Sequence, residues 1–146
     1  MLIRRMIFDD IPSAVRIEKE CFSLPWSEKS FQDSLERDDT FFLVCEEGSE
    51  ITGYIGMYLS FDEGNITNVA VSPLYRKKGY GEALVSAAKE LAKENQIQKI
   101  FLEVRVSNAP AISLYKKMGF ENLGVRKNFY DHPQEDAGIM CCDLMS

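Results

Sequence analysis

Apolar positions along the chain change their spacing several times, and each change marks an element. Residues Ile3 to Phe8 read as a first strand. Asp9-Asp10-Ile11-Pro12 then carries the signs of a helix start, with carboxylates beside the N-terminus and proline in the first turn. Ile11, Ala14, Val15 and Phe22 supply that helix with an apolar stripe, and Pro25-Trp26-Ser27 breaks it. Ser27 is placed to cap a second, short helix with Phe31 and Leu35 on one side. Strands over Thr40 to Glu46 and Ile51 to Phe61 flank a turn at Gly48 and form a hairpin. Asp62-Glu63-Gly64-Asn65 reads as the turn into a third consecutive strand, Ile66 to Val71.

The spacing then becomes helical. From Glu82 to Asn95, residues Leu84, Ala87, Ala88 and Leu91 fall at i, i+3, i+4 and i+7. Lys99 to Val106 alternates again as a strand. Asn108 is positioned to cap a helix through Met118, with Gly119 as its left-handed stop, and two strands occupy the tail. The order β-α-α-β-β-β-α-β-α-β-β predicts an α/β domain around a central mixed sheet flanked by helices. The sheet should be antiparallel early and parallel where the third helix joins two strands. With 146 residues and no repeat or linker, the expectation is a single domain spanning 1–146.

Composition narrows the classes. No signal-like or membrane-spanning run is evident, so the expectation is a cytoplasmic protein without a membrane partner. Seventeen basic against 23 acidic residues leave a net charge of −6, which disfavours nucleic-acid binding. That charge suits a basic protein substrate and equally the ordinary solubility of a small domain. Cys21, Cys45, Cys141 and Cys142 lack metal-ligand spacing and the single histidine, His132, sits in a polar segment, so reduced thiols and no metal site are expected.

Chemistry concentrates in the second half. Arg76-Lys77-Lys78-Gly79-Tyr80-Gly81 connects a strand to a helix, where unpaired N–H groups and the positive helix end suit a phosphate. The glycine spacing fits neither a mononucleotide P-loop nor a dinucleotide fingerprint, leaving a phosphate loop of another kind or an ordinary basic turn. On the strand from Lys99, Glu103 and Arg105 share one face, so Glu103 is either a cross-strand ion-pair partner or a general base. Tyr115 reads as an aromatic packed on its helix, and its hydroxyl is also able to act as a general acid. Trp26 and Tyr130, in predicted loops, are either caps on the core or walls of a cleft.

These pieces together resemble the GNAT superfamily of acetyl-CoA-dependent N-acetyltransferases. Its Gln/Arg-x-x-Gly-x-Gly/Ala signature is matched by Arg76, Gly79 and Gly81, after the strand "NVAV" and before a helix. "LEVRVSNAPAISLYKKMGF", "NFYD" and "PWSEKSF" resemble more narrowly the members that acetylate the N-terminal alanine of a small-subunit ribosomal protein. The resemblance implies a splayed parallel strand pair and an acetyl-CoA pyrophosphate held by Arg76, Lys77, Lys78, Gly79, Tyr80, Gly81 and Glu82. It implies further cofactor contacts from the backbone of Val69, Ala70 and Val71 and from Asn108 and Tyr115. It also implies Glu103 as base, Tyr115 as acid, direct attack in a ternary complex, and an acceptor cleft flanked by Trp26, Ser27 and Tyr130. Two other readings stay open: a member acting on a lysine or small-molecule amine, and a non-catalytic CoA-binding subunit.

Overall fold

The computed structural model describes residues 1–145 and contains the expected order of elements. Strands are β1 (Leu2–Arg5), β2 (Thr40–Glu47), β3 (Glu50–Ser60), β4 (Glu63–Val71), β5 (Lys99–Arg105), β6 (Phe120–Tyr130) and β7 (Glu135–Asp143). Helices are α1 (Ile11–Cys21), α2 (Glu28–Leu35), α3 (Tyr80–Glu94) and α4 (Ala109–Lys117). The strands form one sheet in the order β1-β2-β3-β4-β5-β7-β6, antiparallel except at β4–β5. That exception follows from connectivity, since α3 carries the chain from one strand to the next over the sheet.

Alternation along β2 divides the core into two layers. Phe42 and Val44 face α1 and α2 and pack with Ile11, Ala14, Ile17, Phe31 and Tyr54. Leu43 and Cys45 face the opposite way and join Ile55, Met57, Leu84, Ala88 and Ile100 under α3. α4 completes that second layer, with Tyr115 against Phe120 at 5.7 Å between ring centroids. Gly119 stops α4 at φ 95°, as its position predicts, and Asn108 accepts from the Ala111 N–H at 3.3 Å.

Several boundaries differ from the sequence reading, each for a physical reason. β1 ends at Arg5 rather than Phe8, because Asp10 accepts from the Ile7 N–H at 2.9 Å and is clasped by Arg4 at 2.8 and 2.9 Å. The chain therefore turns through Phe8–Asp10 as a 3₁₀ turn, and Phe8 is exposed. α1 ends at Cys21, so Phe22 leaves the apolar stripe and lies half-exposed beyond it. β4 begins at Glu63, since Glu63, Gly64 and Asn65 pair with Lys99, Ile100 and Phe101; the turn is confined to Phe61 and Asp62. α3 begins two residues early, at Tyr80. Tyr130 ends β6 and is not in a loop.

Candidate active site

β4 and β5 stay in register only over Glu63–Asn65 and then part. A bulge drives the parting: Gly56 pairs with Asn68 and Met57 with Ile66, so Thr67 is an extra residue on β4. β5 keeps to β7 along its whole length, from Lys99 opposite Asp143 to Arg105 opposite Ala137. The two strands leave between them a cavity of about 600 Å³. Ile66–Val69 line one side and Leu102–Arg105 the other, with α4, the α1–α2 loop and the β6–β7 turn around the mouth.

Glu103 faces this cavity and is about one-third exposed, with Arg126 at 3.9 Å as its ion-pair partner. It does not pair with Arg105. The Arg105 guanidinium instead holds the β6–β7 turn, donating to the carbonyls of Pro133 at 2.8 Å and Asp131 at 3.0 Å and meeting Glu135 at 3.2 Å. It also lies 4.5 Å over the Tyr130 ring. Glu135 in turn accepts from the Ser107 N–H, and that bond with Arg105 holds its carboxyl below the usual range.

Tyr115 comes from α4 to the same cavity. Burial, with Tyr130 nearby, pushes its hydroxyl up to about 12, so it keeps its proton throughout the neutral range. Tyr130 is likewise pushed up to about 12, by burial first and by the Glu103 carboxylate second. Trp26, in the α1–α2 loop, lines the cavity and packs at a tilt against Phe31 and Phe42, with ring centroids 5.3 and 5.9 Å away. The cavity thus gathers Glu103, Tyr115, Tyr130, Trp26, Asn108 and Val69.

The remaining residues singled out in the sequence lie outside its lining. Ser27 is occupied in capping α2, accepting from the Ser30 N–H at 3.1 Å. The Ala70 side chain is in the core, leaving only its backbone for a ligand. Arg76–Gly79 connect the 3₁₀ turn Pro73–Tyr75, which follows β4, to α3, with Lys77 at φ 64° and Gly79 at φ 86°. Gly79 is the N-cap of α3 and provides no side-chain acceptor, so the first-turn N–H groups of that helix remain open to an anion. Gly81 is small for another reason: a Cβ there would stand 3.3 Å from Leu114 Cδ2, where α3 meets α4. The Tyr80 side chain is buried, and Glu82 pairs with Lys117 at 2.9 Å. Arg76 folds back, donating to the Val71 carbonyl at 3.3 Å and to Cys21 Sγ at 3.2 Å.

A family model described as the acetyltransferase (GNAT) family matches residues 11–120. The chain belongs to the GNAT acetyltransferase family. This acetyltransferase is 42% identical over 139 residues to a Bacillus subtilis protein whose name proposes ribosomal protein bS18-alanine N-acetyltransferase activity, covering 94% of this chain and 92% of that one. It is 34% identical to the Escherichia coli ribosomal protein bS18-alanine N-acetyltransferase, covering 92% of each. The crystal structure of the Escherichia coli ribosomal-protein-S18-alanine N-acetyltransferase superposes with a TM-score of 0.91 at 30% identity, over 98% of this chain and 93% of that one. The acetyltransferase has the mixed sheet and parallel β4–β5 pair of these neighbours, and the protein is an N-acetyltransferase. Among the described residues no helix is long and apolar enough to cross a membrane, and no cluster of metal-ligating side chains occurs.

Many residues of the cavity lining were not assigned to a site from sequence, four polar or loop positions among them being of most interest. Glu18, Asn68, Phe22 and Asp131 all line the cavity. For Glu18 a signal existed, because it stands at i+7 from Ile11 and i+4 from Ala14, on the apolar stripe itself. A carboxylate at such a position has to find partners in the interior.

Proposed function

We propose that this enzyme transfers the acetyl group of acetyl-CoA to the N-terminal α-amine of a protein, with the N-terminal alanine of ribosomal protein bS18 as its acceptor. The observation that carries the reading is the opening between β4 and β5, with Glu103 and Tyr115 around one cavity in a chain so similar to bS18-alanine acetyltransferases.

The unpaired stretch of β4 suits an extended amide-bearing arm, because Val69, Ala70 and Val71 have no β5 partner there. The open N-terminus of α3, with Arg76, Lys77 and Lys78 in the preceding turn, suits the pyrophosphate. Asn108 borders the same space. Acetyl-CoA, when bound, supplies an activated thioester. An ordinary α-amine has a pKa of about 7.7 to 8.0, so much of it is protonated at neutral pH. Glu103 takes that proton, through water, and leaves the nitrogen lone pair free to attack the acetyl carbon directly. As the C–S bond breaks, Tyr115 hydrogen-bonds to the sulfur, the second proton lost from the attacking nitrogen passes to the thiolate, and the products are the acetylated amine and free CoA thiol. Cys21 lines the cavity, but burial pushes its thiol up and its Sγ donates to the Val71 carbonyl at 3.4 Å, which makes it a poor nucleophile and favours direct attack in a ternary complex. Trp26, Ser27 and Tyr130 belong to the segments flanking the acceptor.

The test is an intact-mass and fragment-ion assay on purified protein with acetyl-CoA and peptides beginning with alanine. Lysine peptides with blocked N-termini and spermidine serve as controls. Acetyl on the alanine α-amine is expected. Acetylation of lysine or spermidine alone would replace the acceptor, and thioester binding without transfer would leave a non-catalytic CoA-binding subunit.

A further inference from the structure

Glu18 is 2% exposed, and no lysine or arginine pairs with it among the described residues. A carboxylate is costly to bury, and this one is satisfied entirely by neutral donors. One oxygen accepts the Trp26 backbone N–H at 2.7 Å. The other accepts the hydroxyl of Tyr54, a β3 residue with no exposed surface. Burial and that carboxylate push the Tyr54 hydroxyl well above its ordinary value, which keeps it a donor.

The chain of bonds continues. Asn68 Nδ2 donates to the Tyr54 oxygen at 3.0 Å, and Thr67 Oγ1 donates to Asn68 Oδ1 at 2.7 Å. Thr67 is the bulged residue two positions beyond the last β4–β5 pair, Asn65 with Phe101. Gly56 makes room for this arrangement, since a Cβ there would stand 2.6 Å from Asn68 Oδ1. One buried carboxylate therefore connects the α1–α2 loop, through Trp26, to the bulge in β4. Both of its oxygens are already engaged, so it is poorly placed to serve as a second base for the acceptor.

We propose that Glu18 is a positioning residue that fixes the acceptor wall of the cleft to the cofactor wall, so that occupancy of β4 is felt at Trp26. This rests on reading the cavity as the site of acetyl transfer. It makes Tyr54 and Asn68 the intermediates of the coupling and Trp26 its output.

Trp26 is the only tryptophan of the chain, and its fluorescence reports on the loop directly. The experiment measures Trp26 emission and acrylamide quenching, with and without saturating acetyl-CoA, in the wild type, Glu18→Gln and Tyr54→Phe. Folding of each variant is verified by circular dichroism. In the wild type, acetyl-CoA should lower the quenching of Trp26. Tyr54→Phe keeps the Trp26 N–H bond but cuts the link to Asn68, so it should abolish that response while acetyl-CoA affinity stays within about twofold, its β4 and α3 contacts being untouched. Glu18→Gln should raise quenching even without acetyl-CoA. In the peptide assay it should raise the acceptor KM roughly tenfold or more, the order expected for losing a hydrogen bond to a charged group, with the acetyl-CoA KM unchanged. Should Glu18→Gln not fold, Tyr54→Phe decides alone. A wild-type emission indifferent to acetyl-CoA, or Tyr54→Phe responding like the wild type, would overturn the proposal. Failure of the wild type to acetylate any peptide would instead remove the functional reading, and the quenching data would still decide whether Glu18 couples the two walls.

Discussion

Replacing Tyr115 with phenylalanine removes one oxygen from the cleft and nothing from the core. The ring packs against Phe120, whereas its hydroxyl makes no hydrogen bond to the described residues. Folded stability should therefore stay within about 0.5 kcal/mol of wild type, as for changes that break no internal contact. The effect on chemistry follows from acidity. A hydroxyl pushed up to about 12 faces a departing thiolate whose conjugate acid has an ordinary pKa of about 8.5. Full proton transfer between them runs uphill by about 3.5 pH units, or about 5 kcal/mol at about 1.36 kcal/mol per unit. In the proposed mechanism Tyr115 therefore acts chiefly by hydrogen-bonding to the charge developing on sulfur, with the amine proton finally balancing the thiolate. A hydrogen bond to a charged group contributes about 1.5 to 3 kcal/mol, so Tyr115→Phe should lower kcat by about 10- to 150-fold. Thiol release followed with a chromogenic disulfide, alongside the melting temperature, makes the comparison. A kcat within twofold of wild type would remove Tyr115 from the reaction, and a melting temperature many degrees lower would show that its role is structural.

Three further outcomes are expected. Glu103→Gln should lower the rate at neutral pH by about 10²- to 10⁴-fold and displace the pH–rate profile upward, because an amine already neutral at high pH needs no base; a profile unmoved would place the base elsewhere. Stability should fall in alkali: Tyr115 is raised to about 12 from an unfolded value of about 10, so its contribution is complete below about pH 10 and lost by about pH 12, roughly 2 to 3 kcal/mol, read as the difference between wild type and Tyr115→Phe in urea titrations because Tyr130 is raised to about 12 as well. Asp10→Asn should cost about 2 kcal/mol by breaking the two-pronged clasp with Arg4. Since burial of Asp10 is outweighed by Arg4 and the Ile7 N–H, which hold its carboxyl below the usual value, the wild type should lose the same stabilisation as pH falls through that lowered pKa; equal acid sensitivity in wild type and variant would contradict this.

Local pattern carried the order of elements because most signals here are local: Ser27 capping α2, Gly119 stopping α4 and the alternation that separates Glu103 from Leu102 and Val104. What escaped depended on partners distant in sequence. Asp62-Glu63-Gly64-Asn65 has turn composition, yet pairing with Lys99–Phe101 makes most of it strand. Asp10 stands at the N-cap position of α1, yet its carboxylate is drawn to Arg4 and the Ile7 N–H and does not cap that helix. Glu18 stands on the apolar stripe of α1, which signals its burial locally, but the partner that makes the burial tolerable, Tyr54, is 36 positions on. The role of Arg105 was hidden likewise, since its acceptors in the β6–β7 turn are 26 and 28 residues away.

The short register between β4 and β5 has a consequence for how the molecule opens. β3 and β4 remain paired from Gly53 to Ser60, and β5 and β7 along all of β5, but the two halves of the sheet are joined only at Glu63–Asn65. Such a seam separates two units that exchange their amide hydrogens with different opening free energies. Strand pairing alone leaves the β4 amides beyond the seam as an internal sheet edge, open to exchange by local fluctuation. On the proposed function, a bound arm pairing with this edge should slow their exchange, and at a ligand concentration of 100 Kd binding should add about 2.7 kcal/mol to global stability. Hydrogen exchange of the free enzyme should then resolve two half-sheets, and that of the loaded enzyme one.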